Sequence, residues 1–258
     1  MLQYFFKNII LYFLRKLKFC FTYLSNKNLE TNINTLKYSS SIIHIEKILK
    51  KNFNPVILDV GSHQGETVDK ILPINKNSIL YCFEPSKANY IFIKNKYKKN
   101  KNIHAFNIGL GKKKEIKKFY ENQASPISSF KKFDTQTQIE SSWGIKETKY
   151  SKIYNSKINT IDSWIRNKSI KDIDLLKIDT QGFELDVLIG AENSFKKGII
   201  KNIILEIIFV RVYESQPNLS EINDFLYSYN FKLNAIVDSS YSKNGEILQA
   251  DFLYLLEK

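Results

Sequence analysis

The stretch VILDVGSHQGET, residues 56–67, runs an apolar, β-branched segment straight into Gly61 and Gly65, with the carboxylate of Asp59 just ahead of them. Val56 to Leu58 suits a strand buried on both faces, and the residues from Glu66 to Leu72 suit a helix. Gly61 and Gly65 permit positive φ and let a ligand approach the backbone itself. A strand, a glycine turn and a helix together offer unpaired N–H groups at a helix start, a place for a nucleotide or another anionic group. The other reading is a sharp strand-to-helix turn of the kind any α/β protein contains. The spacing is Asp59-x-Gly61-x-x-x-Gly65, so it lacks both the Gly-Lys-Ser/Thr ending of a P-loop and the G-x-G-x-x-G of a dinucleotide site.

The same alternation continues downstream. SSSIIHIEKILKKN reads as a capped helix before the first strand, with Ile42, Ile45, Ile48 and Leu49 on one face. SILYCFEPS reads as a second strand ending at Glu84-Pro85, and NIHAFNIGLG as a third ending in Asn107-Ile-Gly109-Leu-Gly, with a helix between them. DLLKIDTQGFELDVL reads as a fourth strand, a turn at Gly182 and a helix whose first turn carries Glu184 and Asp186, where acids suit the helix dipole. NIILEI is a fifth strand ending at Glu206. Strand alternating with helix implies a doubly wound, mostly parallel α/β sheet, in which ligands bind beyond the carboxyl ends of the strands. Asp59, Gly61, Glu84 and Asn107 fall at those ends.

A carboxylate closing the second strand, where Glu84 stands, can accept hydrogen bonds from two vicinal ribose hydroxyls; alone, it could equally cap the helix after Pro85. With the glycine spacing it fits adenosine, and the missing pyrophosphate loop turns the choice from NAD to S-adenosylmethionine. The sulfonium of that molecule is a cation, which Asp59 would favour.

The chain has 258 residues, 43% of them hydrophobic, enough to bury one full-sized α/β core and to leave a terminal extension. Its formal charge of +13 would ordinarily suggest nucleic acid or an anionic membrane surface. Arginine, the side chain best shaped for phosphate and guanine, occurs only at Arg15, Arg166 and Arg211, which argues against nucleic acid. Cys20 and Cys82 are too few and too ill-placed for a disulfide framework, so a reducing, cytoplasmic setting is expected.

Residues 1–24 are interrupted by Lys7, Arg15, Lys16 and Lys18, which a membrane span of about 20 apolar residues does not tolerate, and no small-x-small cleavage site for a signal peptide follows. Wound as a helix, Lys7, Arg15 and Lys18 share one side and Leu2, Phe6, Ile9, Phe13 and Leu17 the other. Such a basic amphipathic helix either lies peripherally on the inner face of the cell membrane or packs on protein. Residues 1–37 therefore read as this helix with a polar linker, and residues 38–258 as the catalytic-size domain.

The segments ILDVGSHQGET, CFEPS, NIGLG, ISSF, INTIDSWI, LLKIDTQGFELDVLIGA and IILEI stand in the order and spacing of the FkbM-type methyltransferases, which this chain resembles over roughly residues 53–256. Lys177-Ile-Asp-x-x-Gly-Phe-Glu184 is the discriminating block. The chain departs from the family's usual Glu at Gln181 and from its common Asn at His63. The resemblance implies a seven-stranded Rossmann-like class I methyltransferase sheet with a C-terminal antiparallel hairpin. It also implies transfer of a methyl group from S-adenosyl-L-methionine to a hydroxyl, often on a sugar or secondary metabolite, as in the building of glycans or glycolipid precursors. The expected cofactor residues are Asp59, Gly61, His63, Gly65, Glu84, Pro85, Asn107 and Gly109, with no metal. Asp179 is the preferred general base, its other reading being a turn cap or cofactor ligand, and Glu206 beside it orients the acceptor or shares its proton.

Other features are open to two readings. His63 either touches the cofactor or is an exposed loop histidine. Asp172-Ile-Asp174 has the Asp-x-Asp pattern of metal-using glycosyltransferases but reads as a strand start. Residues 121–157 form a long polar insertion with few strand cues, either a lid that offers Ser128, Ser129, Trp143 and Tyr150 to a sugar or a solvated loop. A nicotinamide-dependent sugar oxidoreductase and a non-catalytic membrane-associated nucleoside-binding protein are the rival functions. The acceptor is expected to be a small molecule or glycan and not a nucleic acid.

Overall fold

The computed structural model describes residues 40–137 and 149–257. The chain divides into the units Met1–Ser40 and Ser41–Lys258, and the expected N-terminal amphipathic helix lies outside the described residues. Among the described residues no helix is long and apolar enough to cross a membrane.

The chain runs α1 (Ser40–Leu49), β1 (Val56–Val60), α2 (Glu66–Ile71), β2 (Ile79–Phe83), α3 (Lys87–Lys96), β3 (Ile103–Phe106), β4 (Gly109–Leu110) and β5 (Glu115–Asn122). A 3₁₀ turn (Ser125–Ile127) follows, then β6 (Tyr150–Asn159), α4 (Ile161–Lys168), β7 (Leu175–Ile178), α5 (Glu184–Ile189) and α6 (Glu192–Lys196). β8 (Asn202–Ile208), α7 (Leu219–Tyr227), β9 (Phe231–Tyr241) and β10 (Ile247–Leu256) complete it. Seven strands form one sheet in the order β3-β2-β1-β7-β8-β10-β9. All its neighbours pair in parallel except β10, which is antiparallel to both β8 and β9.

β1 is central because almost every side chain on it can be buried. Leu58 and Val60 face a core with Phe83, Ile178 and Trp164, whereas Ile57 faces a second core with Leu49, Val68 and Ile71. Trp164 of α4 stands edge-on to Tyr81, Phe83 and Phe106 at 4.8, 5.0 and 5.5 Å, so one aromatic side chain seals three strand positions. Side-chain caps start α4 and α7: Thr160 accepts from the amide of Ser163 at 3.1 Å, and Asn218 and Glu221 form a reciprocal capping box.

The reading of residues 121–157 as an insertion with few strand cues is corrected at both of its ends. β5 and β6 pair antiparallel from Glu115 opposite Ile158 to Asn122 opposite Tyr150, and with β4 they make a three-stranded sheet in the order β4-β6-β5. Alternation fails to announce these strands because Ile116 and Ile153 point outward, 69% and 53% exposed, while Phe119 and Ile158 carry the core. Residues 138–148, with Trp143, lie outside the described residues.

The Asp-x-Asp pair lies at the opposite edge of the sheet from the strand ends that matter below. Asp174 accepts from the amide of Val56 at 2.9 Å and from the Asn52 side chain, and Asp172 pairs with Lys201 at 3.0 Å, so the two acids tie strand starts together.

Candidate active site

A cleft of about 600 Å³ opens over the carboxyl ends of β1, β2, β7 and β8, within the size range of small-molecule and cofactor sites. Gly61, His63, Glu84, Pro85, Gly109, Asp179 and Glu206 line it, together with the 3₁₀ turn Ser125–Ile127. Asp59, Gly65 and Asn107 stand behind its wall.

The glycine loop spends its own donors. The amides of Gly61 and Ser62 both donate to the carbonyl of Phe83 at 3.0 and 3.2 Å, that of Gly65 to Ser62 at 2.7 Å, that of His63 to Glu84 Oε2 at 2.8 Å and that of Gln64 to Glu66 Oε2 at 3.0 Å. Five successive N–H groups are therefore satisfied within the protein. The amides of the loop ahead of the helix are thus spent within the protein, and a pyrophosphate laid against them would find acceptors such as Glu66 where it needs donors, which weighs against the dinucleotide reading. Gly61 has φ +83°, and a Cβ there would lie 1.8 Å from the carbonyl oxygen of Asp179. That glycine serves close packing of β1 against the turn after β7.

Glu84 is 4% exposed, and its carboxylate accepts from the amide of His63 on Oε2 and from the amide of Ser86 on Oε1, each at 2.8 Å. Each oxygen keeps a second lone pair, so the group is aimed and half satisfied, as a receptor for two vicinal hydroxyls must be. Burial pushes its pKa up to about 8, against the pull of those two amides. The helix after Pro85 is capped by the side chain of Ser86, so Glu84 is not the cap. Asn107 braces this corner by donating to the carbonyls of Glu84 and Pro85 at 2.9 Å each. His63, at φ +43°, is held between Glu66 Oε1 (2.8 Å) and the hydroxyl of Ser125 (3.1 Å), which ties the 3₁₀ turn to the glycine loop.

At the other end of the cleft an amide clamp joins the two carboxylates expected to be catalytic. Gln181 Nε2 donates to Asp179 Oδ1 at 2.9 Å and to Glu206 Oε2 at 2.8 Å, while Gln249 Nε2 donates to Glu206 Oε1 at 2.7 Å. Lys177 pairs with Asp179 Oδ2 at 2.8 Å. Gln181 sits at φ +56° in a turn fixed by Glu184, whose carboxylate accepts from the amides of Thr180 and Gly182 at 3.0 and 3.1 Å. The hydroxyl of Tyr213 lies 3.1 Å from Gln181 Oε1, which leaves the amide hydrogens for the acids. A glutamate at this position could not bridge two carboxylates without itself carrying a proton.

The clamp divides the two acids electrostatically. Burial alone would raise Asp179, but the charge and hydrogen bond of Lys177, with the hydrogen bond of Gln181, outweigh it and hold the carboxyl below its ordinary range. Burial and the neighbouring Asp179 charge push Glu206 well above the usual carboxylate range. Asp59, fully buried, lies beside Lys177 in strand register, and burial raises it too.

Asp238, Gln249 and Asp251 also line the cleft and were not legible in advance. They belong to β9 and β10, whose alternation marks strands but not which end faces a ligand. Of the insertion residues expected to meet a sugar, Ser129 is buried and donates to the carbonyl of Gln181 at 2.7 Å, and Tyr150 accepts from the amide of Phe133 and stacks on its ring at 5.3 Å. Ser128 lines the cleft.

The model of the methyltransferase FkbM domain matches residues 59–233. A curated relative, 2-O-methyltransferase NoeI of Sinorhizobium fredii (strain NBRC 101917 / NGR234), is 24% identical over 201 residues, covering 74% of this chain and 79% of that protein. Among solved structures, precorrin-6y C5,15-methyltransferase from Geobacter metallireducens GS-15 aligns with a TM-score of 0.46 at 10% identity, over 84% of this chain and 87% of that one. Aeropyrum pernix fibrillarin, solved with S-adenosyl-L-methionine, aligns with a TM-score of 0.42 at 10% identity, over 79% of this chain and 67% of that one. The family match spans more than half of the chain and includes the glycine loop, Glu84 and the Asp179–Glu184 turn. The chain belongs to the FkbM methyltransferase family and is a methyltransferase dependent on S-adenosyl-L-methionine.

Proposed function

We propose that the protein methylates a hydroxyl on a sugar, glycan or glycolipid precursor, with Glu84 holding the cofactor ribose, Asp179 orienting the acceptor and Glu206 taking its proton. The observation that carries this reading is the Gln181 clamp, which sets an ionised carboxylate beside a more basic one at the strand ends. S-adenosyl-L-methionine, when bound, supplies a methyl group on a positively charged sulfur that leaves as a neutral thioether. A hydroxyl needs a base as its oxygen gains that methyl, because its proton must depart. Asp179, whose two oxygens already accept from Lys177 and Gln181, is a weak base suited to fixing direction. Glu206, destabilised as an anion, is the stronger base once ionised. The Sinorhizobium relative, a 2-O-methyltransferase, supports oxygen as the target. Methyl-labelled cofactor supplied with glycan and glycolipid fractions should place label in base-stable sugar methyl ethers; label recovered as base-labile ester or on nitrogen would reject the reading.

Glu84→Ala removes charge-assisted hydrogen bonds worth about 1.5–3 kcal/mol each, so the calorimetric Kd for S-adenosyl-L-methionine should rise at least about tenfold. An unchanged Kd would sink the ribose assignment. The wild-type Kd should also fall as pH rises towards 8, because only the ionised carboxylate accepts on both oxygens and its pKa is pushed up to about 8. The sign for folding is opposite: the native state keeps the proton between the ordinary glutamate range and about 8, so Glu84 lowers stability progressively as pH rises through that window.

The sequence of residues 1–24 supports peripheral attachment to an anionic bilayer, with each lysine near headgroups contributing about 1 kcal/mol. Deleting them should abolish sedimentation with anionic liposomes and leave the cofactor Kd unchanged. Full-length protein that ignores liposomes would remove the membrane from this reading.

A further inference from the structure

The cleft's charge runs against that of the chain. Lys and Arg number 39 against 26 Asp and Glu overall, yet the cleft is lined by six carboxyl groups; burial favours the neutral form of Glu84 and Glu206, which leaves Glu66, Asp179, Asp238 and Asp251 against only Lys70 and Lys177. Lys177 is consumed by its pair with Asp179 at 2.8 Å. The cofactor carries one net positive charge and so offsets only part of this excess.

The surplus is concentrated where β8, β10 and β9 lie side by side, away from Glu84. Asp251 is directly opposite Glu206 in the β10–β8 register and directly opposite Asp238 in the β10–β9 register, which sets three carboxylates in one cross-strand row. Like charges in that relation repel. Gln249 and Gln181 satisfy Glu206, but among the described residues neither Asp238 nor Asp251 has a hydrogen bond or close ion pair on its carboxylate. The charged groups facing Asp251 are Lys177 from β7, Asp179 from the turn after it, Asp238 from β9, Glu206 from β8 and Lys70 from α2. Burial, with Asp179 and Asp238, pushes Asp251 up to about 6 against the pull of Lys177 and Lys70.

Resting on the O-methyltransferase reading, we propose that the acceptor is a hydroxylated amine of the amino-sugar class, its ammonium held by Asp238 and Asp251 while its hydroxyl meets Glu206. Acceptors carrying a phosphate or carboxylate within the cleft are rejected by the same row. An ammonium set between the two aspartates meets two charge-assisted acceptors and relieves their repulsion, whereas an anion adds to it. A lipid-linked acceptor fits only with its phosphates outside the cleft.

The test uses full-length protein saturated with S-adenosylhomocysteine and titrated with glucosamine, galactosamine, methyl glucoside and glucuronate, with binding read by ligand-observed NMR. At least one hexosamine should bind about tenfold or more tighter than methyl glucoside, and glucuronate more weakly than either. The Asp238→Asn/Asp251→Asn variant should lose the preference for the hexosamine while its thermal midpoint holds or rises, since two repelling charges are gone. No hexosamine binding, glucuronate binding as well as the hexosamines, or a preference that survives in the double variant would each overturn the proposal. Failure of S-adenosylhomocysteine to bind would instead strike the cofactor reading beneath it, and label found on nitrogen in the methylation assay would strike the hydroxyl.

Discussion

Glu206→Gln should lower turnover by about 10²–10⁴ while leaving the Kd for S-adenosyl-L-methionine within a few-fold of wild type, the loss expected when a positioned proton acceptor is removed. The substitution keeps the size of the side chain and leaves one oxygen for Gln249 or Gln181 to donate to, at the cost of the other hydrogen bond. What disappears is the only carboxylate of the clamp whose basicity is raised, by burial and by the Asp179 charge beside it. Wild-type activity should therefore climb with pH above the ordinary glutamate range as Glu206 ionises, and this limb should vanish in the variant. Stability offers the control. A carboxyl whose native pKa is raised destabilises the fold as pH climbs past its unfolded value, so the glutamine variant should be at least as stable as wild type at alkaline pH. Asp179→Asn separates the two acids: it removes the ion pair with Lys177 but keeps one oxygen for the Gln181 amide, so turnover should also fall, while the alkaline limb should persist and move to lower pH, because the neighbouring charge that raises Glu206 is gone. A glutamine variant that turns over within threefold of wild type at every pH would remove Glu206 from the chemistry.

Gly61→Ala should cost at least about 3 kcal/mol of folding stability, placing it among the severe single substitutions. Two effects add. The backbone is at φ +83°, where a residue with a Cβ pays for the left-handed conformation. The new Cβ would also lie 1.8 Å from the main-chain oxygen of Asp179. A carbonyl at a strand end cannot turn aside as a flexible side chain can, so β1 and the turn after β7 must separate, carrying Asp179 away from the clamp. Urea unfolding should show the loss as a lower midpoint with little change in slope; a midpoint within error of wild type would show that the two segments give way at no cost. Gly109 makes a contrast, because a Cβ there would meet the ring of Phe130 at 2.3 Å, and a side chain can shift.

The strands that form the sheet were legible because they are buried on both sides: Val56–Val60, Leu175–Ile178 and Asn202–Ile208 can hardly be anything else. Strands β5 and β6 were not, because Ile116 and Ile153 face solvent and blur the alternation that a half-buried hairpin should show. The acids at strand ends, Glu84, Asp179 and Glu206, were readable by the same logic, since parallel strands bring their carboxyl ends to one side. Their division of labour was not. Gln181 looked like a departure from a family pattern, and only the left-handed turn at φ +56° shows its amide hydrogens reaching Asp179 and Glu206 together. Nor could Asp59, Gly65 and Asn107 be told from true lining residues.

The sequence by itself therefore determined an α/β sheet of alternating strands and helices, the end of that sheet at which ligands gather, and an adenosine-type cofactor without a pyrophosphate, because each follows from local periodicity, glycine spacing and the polarity of parallel strands, while the strand count and the antiparallel hairpin came from the family resemblance. Only the tertiary structure decided that the loop's N–H groups are already spent, that Gln181 and Lys177 split the basicity of two neighbouring acids, and that Glu206, Asp251 and Asp238 fall in one row. Those properties depend on cross-strand register and on burial, both set by segments far apart in the chain, and no local pattern of residues encodes a distance between them.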